Sequence, residues 1–365
     1  MKNYSRGGFL PPSIIYLHMK DIIILGIETS CDDTSVSFVK NGREVLSNVI
    51  SSQIDIHKIY GGVVPEIASR KHTDNISIVY NEAIRQANID INDIDCIAVT
   101  YGPGLIGSLL VGLSFAKALS IAINKPFIAI NHIEGHICSN YISNEELKPP
   151  FLCLIVSGGH TYLCVVEDYC KYRIYGKTHD DACGECFDKV ARTLGLDYPG
   201  GPKIEKYAKE CHIDEYNFPR GNIIENEFDF TFSGLKSHII NFINTKKTKL
   251  NHTNDVKNIK LDDEEISKIC YSFQSSIIDS LITKTISLAK KLNINKIAIC
   301  GGVSANNTIK TALRDACRDN SFEFYAPENI YSTDNAAMIA SAGYYRYLRN
   351  EFSDLSINAV SNLEF

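Results

Sequence analysis

The chain has 365 residues, 44% of them hydrophobic and 22% charged, with a formal net charge of −6 at pH 7. That length accommodates two domains with a generous core, and the mild acidity gives no global electrostatic footprint for nucleic acid, so any RNA must be drawn by a local patch or a partner. No apolar run reaches the roughly 20 residues of a membrane span, since the longest, Leu105 to Ile123, is interrupted by Gly107, Gly112 and Lys117. Among the 12 cysteines, Cys96, Cys153, Cys164 and Cys300 sit in apolar runs as small hydrophobes. The one close pair, Cys183 and Cys186, lacks a thioredoxin-like context, and the set reads as that of a reducing compartment.

Residues 1–20 read as an extension outside the fold. The first 18 carry two basic side chains and no acidic one, which suits either a targeting segment or synthesis that begins at Met19. Ile22 to Ile27 is an apolar run of strand length, ETSCDDT is a polar turn, and Ser35 to Val39 alternates back as a second strand. Asp32 and Asp33 lie in that turn, where turn chemistry alone accounts for them, although adjacent carboxylates beside Thr and Ser also suit a metal-bound or phosphorylated ligand. HKIYGGVVPEIASRKH (57–72) has a Gly-Gly turn and then Pro65 at a helix start. That helix is expected to reach Gln86 with Ile67, Ile76, Val79 and Ala83 inward. Glu66, Arg70, Lys71 and His72 form either a solvated face or an RNA contact.

Asp95 to Tyr101 is read as a third strand, followed by GPGLIGS and a helix rich in small residues. Pro126 to Ile130 leads into NHIEGHICSNY, where His132 and His136 stand four apart on one helix face, a metal-ligand spacing. In an HExxH protease the glutamate directly follows the first histidine. Here Glu134 comes one position later, rotated by about 100° around the helix, which weakens that reading. ELKPP (146–150) reads as a linker.

The second half repeats the first. FLCLIVSGGHTYLCVV (151–166) is strand, Gly-Gly turn, strand, and KIAIC followed by GGVSANNTIKTAL is strand, glycine turn, helix, with an insertion of about 70 residues between the two. The duplication implies a two-lobed α/β fold with a ligand cleft between the lobes, into which the backbone N–H groups of Gly158, Gly159, Gly301 and Gly302 would point at an anion. The insertion holds a helix over 180–196 ending at Gly195, with Asp188 on its polar side, and a strand-to-helix passage at 228–243 that Ser233 could cap. Thr245 to Lys260, Lys- and Asn-rich, reads as a flexible loop or an RNA-touching arm. Thr333 is the expected N-cap of a last helix, placing Asp334 in its first turn, where the helix dipole favours it; a third metal ligand is the alternative.

GIETSCDDT, HKIYGGVVPEIASRKH, YGPGLIGSLLVG, NHIEGH, VSGGHT, GECFDKVARTLGLDYPGGP, FSGLK, GGVSAN and STDNAAMIA, in this order, resemble the universal tRNA N6-adenosine threonylcarbamoyltransferase family from about Ile22 to Leu348. The resemblance implies a duplicated actin-like, Hsp70-like α/β fold with a first lobe over 21–145, completed by a C-terminal helix at 333–349. The second lobe would cover 151–330, with its insertion at about 177–262. It implies one divalent metal, Fe2+ or else Zn2+, held by His132, His136 and Asp334. Ligand contacts are implied at Ile155, Val156, Ser157, Gly158, Gly159, Asp188, Gly201 and Asn306. It also implies transfer of a threonylcarbamoyl group from its adenylate to tRNA, for which Asp33 or Asp32 is the candidate proton acceptor. The implied partners are tRNA, a paralogous subunit of the TsaB type and a small ATPase of the TsaE type in the cytoplasm, or a homodimer if the protein is mitochondrial. Rival readings are a non-catalytic actin-like ATPase or scaffold subunit, and a metalloprotease.

Overall fold

A computed structural model describes residues 20–221, 226–251 and 260–365. The extension at 1–19 and positions 252–259 of the Lys-rich stretch lie outside the described residues. The first half runs β1 (Ile23–Glu28), β2 (Asp33–Lys40), β3 (Glu44–Ser52), α1 (Ile54–Lys58), α2 (Pro65–Ala87), β4 (Cys96–Gly102), α3 (Ile106–Ile123), β5 (Phe127–Asn131) and α4 (His132–Ser143). It continues with β6 (Phe151–Val156), β7 (Thr161–Asp168), β8 (Lys171–Lys177), α5 (Cys183–Leu194), α6 (Gly200–Ala208), α7 (Ser233–Asn251), α8 (Asp263–Leu292), β9 (Lys296–Cys300), α9 (Asn307–Asp319), β10 (Glu323–Tyr325), α10 (Asn329–Ser332) and α11 (Ala336–Leu348).

The strands form two five-stranded sheets, ordered β3-β2-β1-β4-β5 and β10-β9-β6-β7-β8. Each has a central strand paired antiparallel to the strand that follows it and parallel to a later one, as in Leu25↔Phe38 with Leu25↔Ile97, and Leu154↔Leu163 with Leu154↔Ile299. The central strands β1 and β6 are covered on both faces, which is why they read as unbroken apolar runs. Helices α2 and α3 cover the outer face of the first sheet, α5 to α9 that of the second, and α4 and α11 lie between the sheets in a core shared by both. This layering places the histidine helix at the centre of the molecule.

Close packing of α11 on β1 depends on missing side chains. A Cβ on Gly26 would come within 2.1 Å of the Ala336 carbonyl oxygen, and one on Gly343 within 2.5 Å of the Ala98 Cβ. Gly26→Ala is expected to push α11 off the sheet and lower stability by about 1–3 kcal/mol, which urea denaturation measures.

Several expectations need correction. Asp33 is already the first residue of β2, paired with Ser52 of the half-exposed edge strand β3, and β3, not Asp95–Tyr101, is the third strand. In α2, Ala68 and His72 face inward and Ile67 is only half-buried. The alternating 228–232 segment is not a strand. Phe228, Phe230 and Phe232 bury their rings, but only a bridge from Phe230 to Thr178 pairs the backbone. The start of α7 is capped from a distance, by Asp180 Oδ1 accepting the Phe232 and Ser233 N–H groups. Helix α7 also continues through Thr245 to Asn251, part of the expected loop. The N-cap of α11 is Asn335, not Thr333, so Asp334 precedes the helix. Cys183 and Cys186 are buried in α5, and burial pushes both thiols up, which leaves no thiolate for redox chemistry. Finally, α3 is by length and composition apolar enough to cross a membrane despite its glycines and Lys117. In this fold its Leu109, Leu113 and Ala116 pack inward instead.

Candidate metal centre and ligand cleft

Helix α4 begins where β5 ends, with Asn131 Oδ1 accepting the Ile133 N–H at 2.9 Å. Its first turn therefore faces the segment leading into α11. His132 Nε2 lies 3.4 Å and His136 Nε2 3.3 Å from Asp334 Oδ1, and the three donor atoms all fall within 4.8 Å of one another. His136 is fully buried, and apart from the 3.3 Å approach of Nε2 to Asp334 Oδ1 its ring nitrogens have no partner among the described residues. A buried polar atom left unpaired costs about 1–3 kcal/mol, and a cation accepting the imidazole lone pair removes that cost. The donor set of two imidazoles and one carboxylate fits a single divalent ion with coordination positions left open.

The electrostatics point the same way. Burial drives the His132 pKa down, but Asp334 and Glu28 on either side reverse this and hold it well above the ordinary histidine value. Burial opposes ionisation of Asp334, yet the two imidazoles hold it far below the usual carboxylate range. The cluster is thus a buried concentration of negative potential that demands a positive charge, whether a proton or a metal.

Two glutamates define the surroundings. Glu28, completely buried at the end of β1, accepts from the Ser30 N–H and the Thr100 hydroxyl and lies 3.1 Å from His132 Nδ1. It fixes the ring so that Nε2 faces Asp334, the carboxylate–histidine–metal arrangement of many metal sites. Nothing in the sequence marked Glu28, which reads as the first residue of the polar turn ETSCDDT and is in fact the last residue of β1. Glu134, the one acid of NHIEGH, is turned away. It receives Nε and Nη2 of Arg346 at 2.9 and 2.7 Å and the Tyr172 hydroxyl at 3.1 Å, tying α4 to α11 and β8. A glutamate so engaged is not a protease base.

Asp32 and Asp33 are both mostly buried, and Asp32 Oδ2 and Asp33 Oδ1 have no partner among the described residues. Burial raises both, Asp33 to about 7, with Asp32, Asp334 and Glu28 adding to the Asp33 shift by repulsion. Beyond them lies a cavity of about 290 Å³ lined by Gly158, Asp188, Gly201, Glu205, Gly302 and Asn306 among others. Gly158, Gly201 and Gly302 would each carry a Cβ into open space and none has positive φ, so the protein's own packing demands glycine at none of them. Their small size leaves the cavity open to a ligand. The turn holding Gly158 also carries His160, which burial and the charge of the two cluster histidines hold down at about 4. One turn thus lines the cavity and lies within electrostatic reach of the cluster.

Other expected ligand residues fall differently. Ile155 and Val156 bury their side chains completely in β6, and Ser157 Oγ accepts the His160 N–H at 3.1 Å. Gly159 is exposed beside, but not in, the cavity wall. Gly201 stands in the first turn of α6, not in an open turn. The Asn306 side chain caps α9 through Ile309 N–H and donates to Gln274 Oε1 at 2.9 Å. Glu205, missed in the sequence because IEKYA looks like any amphipathic helix, brings a carboxylate into the cavity wall and accepts the Asn307 N–H at 3.1 Å.

A donor set suited to a cation, beside a glycine-lined cleft, is what an α/β protein that handles a small ligand together with a cation would present. Comparison with known proteins narrows this class. Residues 44–341 match the sequence profile of tRNA N6-adenosine threonylcarbamoyltransferase. The tRNA N6-adenosine threonylcarbamoyltransferase of Clostridium kluyveri is 51% identical over 346 residues, covering 94% of this chain and 98% of that one. That of Caldicellulosiruptor saccharolyticus is 53% identical over 339 residues, 93% of this chain and 97% of that one. In structure, full-length HypF in its phosphate- and nucleotide-bound form aligns over 90% of this chain and 47% of its own with a TM-score of 0.59 at 14% identity, a likeness of fold alone. The chain belongs to the tRNA N6-adenosine threonylcarbamoyltransferase family.

Proposed function

We propose that this chain transfers a threonylcarbamoyl group from threonylcarbamoyl-adenylate to N6 of the adenosine 3′ of the anticodon, in tRNAs that read codons beginning with A. The observation that carries the reading is a family match over residues 44–341 that includes an intact His132–His136–Asp334 set whose donor atoms lie within 4.8 Å of one another. The two sheets of equal connectivity are read as the two lobes of a duplicated actin-like, Hsp70-like fold, 21–145 with the helix at 333–349, and 151–330 with its insertion at 177–262.

The adenosine N6 lone pair is delocalised into the purine, so transfer rests on positioning, stabilisation of charge and removal of a proton. In this reading the glycine-lined cavity holds the nucleotide of the donor, with Asp188 and Glu205 accepting from its hydroxyl or amino groups. Glu28 keeps the proton of His132 at Nδ1. Asp33, or Asp32 beside it, accepts the proton that leaves N6. A divalent ion held by His132, His136 and Asp334, Fe2+ in preference to Zn2+, supplies Lewis-acid stabilisation of the acyl group when bound.

The proposed partners beyond tRNA are a paralogous subunit of the TsaB type and a small ATPase of the TsaE type, in the cytoplasm. Support for a protein partner comes from α2 and α3, which leave Ile78, Ile106, Leu110 and Ile121 exposed, Ile78 at 67% and Ile121 at 66%. Apolar side chains gathered on one pair of helices mark an interaction face.

The test is nucleoside mass spectrometry of tRNA from cells depleted of their own enzyme and supplied with this chain. Restored N6-threonylcarbamoyladenosine supports the reading, and its absence with partner subunits also supplied sinks it. Gly302→Val, which fills the cavity from a position with no protein neighbour, is expected to raise the KM for the adenylate about tenfold or more while leaving thermal stability unchanged. Calorimetric titration with a non-hydrolysable adenylate checks the affinity.

A further inference from the structure

We infer that the cleft edged by Ile59, Tyr60, Asp188, Arg192 and Tyr198 is the subsite for the acceptor base, a purine presented by an RNA loop. The inference rests on the transferase reading and adds to it the place where the RNA enters.

The cleft, about 340 Å³, lies on the other side of Asp188 from the glycine-lined cavity, so the two share that carboxylate and the wall formed by α5 and α6. Its rim carries two of the most exposed apolar side chains in the molecule, Ile59 at 82% and Tyr60 at 59%. These are not on a slack loop. His57 beneath them is completely buried, its Nδ1 accepting the Val64 N–H at 3.2 Å, which leaves Nε2 to donate to Gln53 Oε1 at 3.3 Å. The N–H groups of Tyr60, Gly61 and Gly62 close back onto the His57 and Lys58 carbonyls at 3.0 to 3.3 Å. From the far wall Arg192 Nη2 donates to the Gly61 carbonyl at 2.6 Å. The chain thus spends a buried histidine, two glycines and an arginine on holding an apolar pair out in solvent, a cost that packing within the chain does not explain.

The chemistry around the pair suits a purine nucleotide. Tyr60, exposed, and Tyr198, half-buried, both line the cleft, and an aromatic ring stacked on a base gives a sequence-tolerant gain. Asp188, whose Oδ1 accepts the Gly200 N–H at 2.7 Å, is held in the wall that lines both cavities. Lys58, paired with Asp197 only across an exposed 3.3 Å contact, and Arg192 put cations at the mouth where a phosphate backbone would pass. A base stacked on the rim therefore lies next to the donor cavity, with Asp188 in the wall between them. The motif at 57–72 thereby keeps the RNA contact its sequence suggested, but through residues other than Glu66, Arg70, Lys71 and His72. His72 is buried against the Thr34 hydroxyl at 2.8 Å, and the exposed apolar pair ahead of Pro65 takes the contact.

The experiment uses the full chain and a short RNA hairpin carrying the anticodon loop, with 2-aminopurine at the nucleotide 3′ of the anticodon. Quenching of its fluorescence on binding, lost in Tyr60→Ala and kept in Tyr60→Phe, is the expected result. Anisotropy titration of the unmodified hairpin should show about tenfold weaker binding by Tyr60→Ala, while an abasic hairpin binds both proteins alike. Undiminished quenching and affinity in Tyr60→Ala overturn the subsite while leaving the transferase standing. A wild-type protein that neither binds the hairpin nor modifies tRNA in cells overturns both. A shift in sedimentation of Tyr60→Ala without any change in RNA binding assigns the rim to a protein partner and likewise overturns the proposal.

Discussion

His136→Leu is expected to abolish metal binding and to lower threonylcarbamoyl transfer by about 100-fold or more, the loss typical of removing one preorganised electrostatic stabiliser, while making the metal-free protein more stable. The two effects have one cause. His136 is fully buried with Nδ1 unpaired among the described residues, and Asp334 keeps His132 as a partner when His136 is removed, so in the absence of a cation His136 carries a desolvation cost that a leucine of similar size does not. Relief of that cost is worth about 1–3 kcal/mol. Metal content by plasma mass spectrometry, urea denaturation in chelator and nucleoside analysis of tRNA read the three consequences separately. A variant that keeps its metal would remove His136 from the ligand set. One that loses stability in chelator would make it a packing residue instead. A companion change, Glu28→Ala, should weaken metal binding about 10- to 100-fold without touching a ligand. Glu28→Gln, which can still accept from His132 Nδ1–H, should recover part of the loss.

How much of this was legible in the residues follows a physical rule. Buried strands with continuous apolar runs, such as IILGIE and FLCLIV, and caps such as Gly195 announced themselves because local chemistry and burial agree there. Strands β3 and β8 did not, since edge strands expose half their side chains and lose the apolar signature. The 30-residue helix α8 was also missed. Asp334 could be named as a ligand only through resemblance, because its partners lie about 200 positions earlier in the sequence and its local surroundings read as a helix start. Glu28 and Glu205 were invisible for the converse reason: each ends or lines a regular element, and only the packed fold shows what its carboxylate touches. The spacing of His132 and His136 was informative because a helix converts four residues of sequence directly into one face.

Asp33→Asn separates stability from catalysis through pH. Burial, reinforced by repulsion from Asp32, Asp334 and Glu28, raises the Asp33 carboxyl from the ordinary range to about 7. Folded protein therefore holds this proton more tightly than unfolded chain. Below about pH 4 the carboxyl is protonated in both states and the substitution changes little. As pH climbs toward 7 the unfolded state ionises first, and the folded state loses stability by an amount that reaches up to about 4 kcal/mol above pH 7. Asparagine has no proton to lose, so metal-free Asp33→Asn should match the parent near pH 4 and surpass it at pH 8, as urea denaturation at both pH values would record. A bound divalent ion beside Asp334 opposes the shift, so the difference should shrink once metal is added. For catalysis the order reverses. If Asp33 accepts the N6 proton, single-turnover transfer by the parent rises as pH passes through the Asp33 pKa. Asp33→Asn should then be slower by about 100- to 10,000-fold, with that limb of the profile gone. A variant that is more stable yet fully active would show that the carboxylate is strained for some other purpose and would pass the proton-acceptor role to Asp32. A more stable and inactive variant would identify Asp33 as a group whose burial is tolerated for the sake of the reaction.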